Sequence, residues 1–214
     1  GIGNWSNTWN FTTTSGTTFS YPVNVRWNLI SLPVLVDNPA VTVQYPSSMS
    51  SAYEYIPSSG YLDQTSMVFG TGYWLKFGSA QIVSITGTPR TIDTLSVEEG
   101  WNLIGSVSNP VPIGLVTPLG TTVTSDYFGY RSGFSRTDTI APGMAYWVKV
   151  SNAGKLVIAS SGILSKSISD NRLYDQLNIV TIEDAAGNRQ MLYFGNKPDH
   201  GSTFNRFEMP PAPP

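Results

Sequence analysis

One pair of sequence landmarks occurs twice, and in the same order. Trp27-Asn28-Leu29-Ile30-Ser31 is followed by Gly72-Tyr73-Trp74-Leu75-Lys76-Phe77. Trp101-Asn102-Leu103-Ile104-Gly105 is followed by Gly143-Met144-Ala145-Tyr146-Trp147-Val148-Lys149-Val150. From the first Trp to the second is 47 positions in one copy and 46 in the other. Between the landmarks lie Tyr53, Tyr55 and Gly60-Tyr61 in the first copy, and Tyr127, Tyr130 and Gly133-Phe134 in the second. Four ordered landmarks at matched spacing make an internal repeat, and a repeat constrains the architecture before any local propensity is weighed.

The repeat divides the 214 residues into an N-terminal strand and linker (1–20), repeat one (21–90), repeat two (91–160) and a C-terminal module (161–214). Only 12% of the residues are charged, while Gly, Pro, Ser, Thr and aromatic residues abound. That mixture suits short strands and tight turns and disfavours helical bundles, which need Ala, Leu, Glu and Lys in quantity. The expected fold is therefore all-β: tandem small β-sandwich-like modules, then a C-terminal β-hairpin and a Pro-rich tail. A net charge of −2 with scattered Lys and Arg gives no footprint for nucleic acid. No apolar run approaches the ~18 residues of a membrane-spanning helix, so a membrane-spanning chain is not expected. With no cysteine, neither disulfides nor thiolate metal sites are available, and stability rests on apolar burial.

Alternation explains the repeated residues. Trp27, Leu29, Trp101 and Leu103 share strand faces, and the adjacent pairs Tyr73-Trp74 and Tyr146-Trp147 put one ring on each face. Trp27, Leu29, Trp74, Trp101, Leu103 and Trp147 are thus expected as the structural core of the repeats. In each Tyr-Trp pair one ring fills the core and the other stays partly exposed. Gly72 and Gly143 are expected at turn or close-approach positions, and Arg26 stands where repeat two has Gly100. Tyr53, Tyr55, Tyr61, Tyr127, Tyr130 and Phe134 lie near turns and are the candidates for an aromatic platform that takes sugar or peptide.

Outside the repeats, Trp5, Trp9 and Phe11 fall on one face of a strand in residues 1–13, a candidate assembly strand. It is equally readable as the first strand of the following domain or as the last strand of a preceding one. Thr12–Ser20 has the composition of a linker, and Pro39–Val43 of a short helical turn. Leu177–Ile182 and Arg189–Phe194, joined by an Asp/Gly/Asn loop, form a hairpin pattern. Met209-Pro-Pro-Ala-Pro-Pro214 is expected as extended polyproline.

Catalytic patterns fail individually. His200 is the single histidine and sits in a turn sequence beside Asp199, so neither a Ser-His-Asp triad nor a histidine zinc site can be assembled around it. Glu98-Glu99 and Glu183-Asp184 are adjacent pairs, which a strand would turn to opposite faces. Asp184–Asn188 clusters oxygen ligands without the spacing of an EF-hand. No catalytic residue, metal site or cofactor is expected.

The Trp-Asn-Leu-Ile-Ser-Leu-Pro-Val and Gly-Tyr-Trp-Leu-Lys-Phe signatures resemble a module found near the C-termini of large secreted surface proteins of Bacteroidetes and Chlorobi-like bacteria. There, paired copies follow fibronectin type III domains, whose final strand resembles Trp5–Thr13, and precede a hairpin, a Pro-rich run and a type IX sorting domain. The resemblance covers nearly the whole chain. It implies an extracellular location at the bacterial cell surface and O-glycosylation motifs at Asp93-Thr94-Leu95 and Asp138-Thr139-Ile140, with Thr94 and Thr139 as acceptors. The expected function is a non-enzymatic extracellular structural protein whose partners are copies of itself or neighbouring surface proteins. A filament subunit joined by strand addition is one form of it. A carbohydrate-binding or adhesive accessory module of a secreted hydrolase, with a polysaccharide partner, is the alternative.

Overall fold

The computed structural model describes residues 16–161, 178–194 apart from 186 and 188, and 208–214. Trp5, Trp9 and Phe11 lie outside the described residues, as does His200. The chain is all-β. Repeat one contains β1 (Thr17–Val23), β2 (Arg26–Ile30), β3 (Val34–Leu35), α1 (Val41–Gln44), β4 (Ala52–Ile56), β5 (Gly60–Gln64), β6 (Tyr73–Phe77) and β7 (Gln81–Pro89). Repeat two contains β8 (Ile92–Val97), β9 (Gly100–Ile104), β10 (Val111–Pro112), β11 (Thr117–Leu119), β12 (Tyr127–Tyr130), β13 (Phe134–Thr137), β14 (Thr139–Ile140), β15 (Tyr146–Val150) and β16 (Gly154–Ala159).

The two repeats share one topology. A four-stranded sheet has the order β2-β6-β4-β5 in repeat one and β9-β15-β12-β13 in repeat two. A three-stranded sheet, β1-β7-β3 or β11-β16-β8, completes each. Registers agree residue for residue: Leu29 pairs with Trp74 and Leu103 with Trp147, while Tyr53 pairs with Trp74 and Phe128 with Trp147. Thr17–Ser20, expected as linker, is instead strand, because β1 pairs along its full length with β7. Hydroxyl pairs Thr18–Thr86 and Ser20–Ser84, each at 2.7 Å, join the exposed face of that ladder. Its polar alternation hid the strand: Phe19, Tyr21 and Val23 face the core, while Thr18, Ser20 and Pro22 are exposed.

The asparagine of each Trp-Asn-Leu-Ile motif explains why the motif recurs. Asn28 Oδ1 accepts from Asn24 N–H at 2.8 Å, and its Nδ2 donates to the carbonyls of Asn24 and Arg26 at 2.8 and 3.0 Å. Asn102 makes the same three bonds to Glu98 and Gly100, at 3.0, 2.7 and 3.0 Å. A buried amide thus closes the turn that feeds each first large-sheet strand, satisfying backbone groups that the ladder leaves open.

That turn needs a left-handed residue. Gly100 has φ +94°, with no atom near the place a Cβ would take. Arg26, at the matching position, is forced to φ 72°. An L-residue with a side chain pays for that conformation, whereas glycine does not. Replacing Arg26 by Gly is expected to raise stability by about 0.5–1 kcal/mol in a thermal melt, the relief of strain exceeding glycine's extra unfolded-state entropy. Arg26→Ala, equally strained, should give no gain.

Each repeat has its own core. Tyr21, Val23, Val83 and Ile85 of the small sheet meet Ile30, Tyr73, Leu75 and Phe77 of the large sheet in repeat one. Val97, Leu156 and Ile158 meet Ile104, Tyr127, Tyr146, Val148 and Val150 in repeat two. Beyond the repeats, β17 (Asn178–Glu183) and β18 (Arg189–Phe194) form the C-terminal hairpin. Among the described residues no helix is long and apolar enough to cross a membrane.

Candidate functional site

A third apolar cluster belongs to neither repeat alone. It joins Leu29 and Trp74 of repeat one to Trp101, Leu103, Phe128, Ala145 and Trp147 of repeat two, ringed by Trp27, Tyr53, Tyr55, Tyr61, Tyr130 and Phe134. The outer faces of the two large sheets therefore bury each other. The six expected core residues all lie in this seam, not in the interiors of separate sandwiches. The second ring of each Tyr-Trp pair is also fully covered: Tyr73, Trp74 and Trp147 are at most 0% exposed and Tyr146 is 6% exposed. The expectation that one ring of each pair stays partly exposed is thus overturned, because the other repeat supplies the cover.

The seam has near two-fold reciprocity. Ser31 N–H donates to the Gly143 carbonyl at 2.9 Å, and Gly105 N–H to the Gly70 carbonyl at 2.7 Å. Ala145 N–H donates to Leu29 at 3.2 Å, and Gly72 N–H to Leu103 at 3.2 Å. Gly143 therefore corresponds to Gly70, both with positive φ, and Gly72 corresponds to Ala145 as the close-approach position. Rings repeat the pattern: Tyr55 meets Trp147, and Tyr130 meets Trp74, each edge-on at 4.8 Å between centroids. Edge-to-face packing lets the positive ring edge meet the negative ring face.

The expected platform residues thus divide. Tyr53, Tyr55, Tyr61, Tyr130 and Phe134 form the half-buried border of the seam. Tyr127 does not join them: it lies in the core of repeat two at 5% exposure. Facing inward from β12 while Phe128 faces the seam, it obeys strand alternation one residue out of phase with its assignment. Thr94 is exposed on β8. Thr139 is half-buried, and its hydroxyl donates to Asp138 Oδ1 at 3.0 Å.

Along one side of the seam lies the C-terminal segment. Glu208 binds repeat two, accepting from Trp101 Nε1 at 3.3 Å through Oε1 and pairing through Oε2 with Lys149 Nζ. Pro210 is buried. The Ala212 carbonyl binds repeat one, accepting from the Tyr61 hydroxyl at 2.6 Å. That hydroxyl itself accepts from Trp74 Nε1 at 3.2 Å. Its indole donor leaves the tyrosine hydrogen free to point outward, and burial pushes the Tyr61 pKa up to about 12, so it remains a donor at ordinary pH. None of these roles was readable from the sequence: nothing in the tail's composition announced where it binds.

The other side of the seam is not equivalent. There the clamp residues are Trp27 and Lys76, with the Lys76 ammonium 5.7 Å from the Trp27 ring centroid. Phe134 stands where repeat one has Tyr61. Without that hydroxyl, Trp147 Nε1 is the only buried side-chain nitrogen or oxygen among the described residues with no hydrogen-bond partner. The hairpin covers this side: Phe134 N–H donates to Gln190 Oε1 at 3.0 Å, and a Cβ on Gly133 would come within 2.2 Å of the Arg189 carbonyl oxygen.

A cleft of about 370 Å3 opens nearby, between Glu54 to Pro57 of repeat one and the β8–β9 region of repeat two. Desolvation raises the Glu54 carboxyl pKa, against a hydrogen bond from Gln64. Asp93, also lining the cleft, is tied to Arg90 at 2.8 Å. Glu54 and Asp93 thus each have a structural partner, Gln64 and Arg90. Among the described residues, no group of three or more His, Cys, Asp or Glu side chains could hold a metal.

No protein-family model, curated protein or solved structure matches this chain.

Proposed function

We propose that the chain is a non-enzymatic structural module of an extracellular bacterial surface protein. The observation that carries this reading is the seam. The tryptophans of the two repeats and the rings around them pack into one shared cluster, so the repeats form one unit and these rings are drawn into the contact between them. Low surface charge favours lateral contacts with copies or neighbouring surface proteins, because few charges need desolvation. The resemblance to paired modules of type IX-secreted proteins supports the extracellular setting, and it makes Thr94, exposed on β8, the better candidate for O-glycosylation.

Assembly into filaments is the form this function takes if the segment carrying Trp5, Trp9 and Phe11, whose sequence alternates at the period of a strand, completes a neighbour's sheet. Electron microscopy of the full chain beside the same chain lacking residues 1–13 tests it. Regular filaments from the first and monomers from the second are the expected result. Monomers from both would discard strand addition. Saturable binding to a glycan array, lost on Tyr53→Ala or Tyr55→Ala, would replace the structural reading with the carbohydrate-binding alternative.

A further inference from the structure

We propose that the groove between Tyr61, Trp101 and Lys149 is a receptor site for proline-rich segments of the form Glu-x-Pro-Pro-x-Pro. Residues 208–214 fill it within the same chain, and the same segment supplied by a second molecule binds it equally. This rests on the groove alone and not on the structural reading above.

Three features make the groove a receptor. A polyproline II segment has no internal hydrogen bonds, so its carbonyls need donors from whatever binds it. An indole N–H and a phenol, each set in an apolar rim, supply donors and contact area together, which is the mode by which aromatic grooves take proline-rich peptides. Here the Tyr61 hydroxyl donates to the Ala212 carbonyl, Trp101 Nε1 donates to the Glu208 carboxylate, and Pro210, which lies between those two residues in sequence, is buried. Second, the ends are different. The Lys149 ammonium and Trp101 take the Glu208 carboxylate, while Tyr61 takes a backbone carbonyl four residues later. The two anchored groups stand four residues apart and differ in kind, a carboxylate and a backbone carbonyl, so the groove selects both spacing and direction. Third, the donor at Tyr61 is held ready by Trp74 Nε1 from beneath, before any ligand arrives.

The near two-fold of the seam supplies an internal comparison. Trp27 and Lys76 repeat the carboxylate clamp, but Phe134 lacks the carbonyl donor, and the hairpin covers that side. The receptor is complete on one side only.

The test uses the full chain with Pro210→Gly, Pro211→Gly and Pro213→Gly, which removes the rigidity of its own tail, and the synthetic peptide Glu-Met-Pro-Pro-Ala-Pro-Pro. Tryptophan fluorescence follows the titration, and near-ultraviolet circular dichroism checks that the variant is folded. Saturable binding is expected, and at least tenfold weaker apparent binding to the unmodified chain, whose groove is filled. Adding Tyr61→Phe to the tail variant should weaken binding about fivefold, the loss of one hydrogen bond. Adding Lys149→Met should remove most of its salt dependence. Absence of saturable binding to the folded tail variant would overturn the proposal. So would equal affinity for a control peptide with glycine at every proline, or an unchanged affinity with Tyr61→Phe and Lys149→Met together.

Discussion

Replacing Trp74 by alanine is expected to lower stability by about 3–5 kcal/mol, the range for deleting a fully buried tryptophan. For a unit of this size that is a fall of roughly 10 °C or more in the melting temperature. Several effects coincide at this position. Trp74 is 0% exposed and packs against Tyr130 and Phe134 of the other repeat, so its removal leaves a cavity lined from both sides. Trp74 Nε1 is also the donor that orients Tyr61, so the C-terminal segment loses its anchor in the same variant. Trp27→Ala is the informative control. Trp27 is only half-buried at the border, and its loss should cost markedly less. If thermal melts gave the two variants equal shifts, the seam would not be the chief stabilising contact of this surface.

Gly72→Val should have a comparable effect by a different physical route. A Cβ at Gly72 would lie 2.8 Å from the Ala145 Cβ, the Ile104 carbonyl oxygen and the Leu103 Cγ. Its counterpart across the seam, Ala145, already has a methyl group there, so the interface has room for one Cβ and not two. Backbone oxygen cannot step aside as a side-chain tip can. Overpacking of this kind costs about 1–3 kcal/mol, and parting the strands forfeits hydrogen bonds worth about 1 kcal/mol each. A loss of about 3–5 kcal/mol follows. Because each repeat keeps an intact core of its own, calorimetry should resolve two transitions where the unmodified chain shows one. A single transition at an unchanged temperature would mean that the close approach at Gly72 contributes nothing.

The sequence carried the topology further than it carried the site. Repetition of Trp-Asn-Leu-Ile and Tyr-Trp announced two like all-β units, and alternation put Trp74 and Trp147 on the face opposite Tyr73 and Tyr146. Alternation is a property of one strand, however, and says nothing of what covers its far face. That is why Trp74 and Trp147 could be expected in a core without the core being shared. The same limit explains Tyr127: a tyrosine near a turn looks like a platform residue until the register of β12 against β15 fixes Phe128, its neighbour, opposite Trp147. The role of Asn28 and Asn102 was hidden because a polar residue amid apolar ones in a strand suggests exposure, whereas both are buried and triply bonded to a turn. Proline content leads to the expectation of an extended segment over residues 209–214. Their place depended on Trp101, Lys149 and Tyr61 meeting at the border, three residues far apart in sequence.

The reciprocal seam has a consequence for how such a chain can change. Its geometry is that of an isologous homodimer written on a single polypeptide. In a true dimer every substitution at the contact appears twice, so a change that suits one side must also suit the other. Covalent tandem arrangement removes that obligation, and it holds the halves at a high effective concentration, so neither needs to bind the other tightly in order to stay paired. The pairs Tyr61 and Phe134, Gly72 and Ala145, and Arg26 and Gly100 differ in this way. One half carries a phenylalanine at the first of these places and lies under a hairpin, while the other carries a tyrosine whose hydroxyl holds a proline-rich segment. Fusion thus turns a contact with no inherent direction into a unit with two distinguishable sides, the property a building block needs if it is to be added to others in only one orientation.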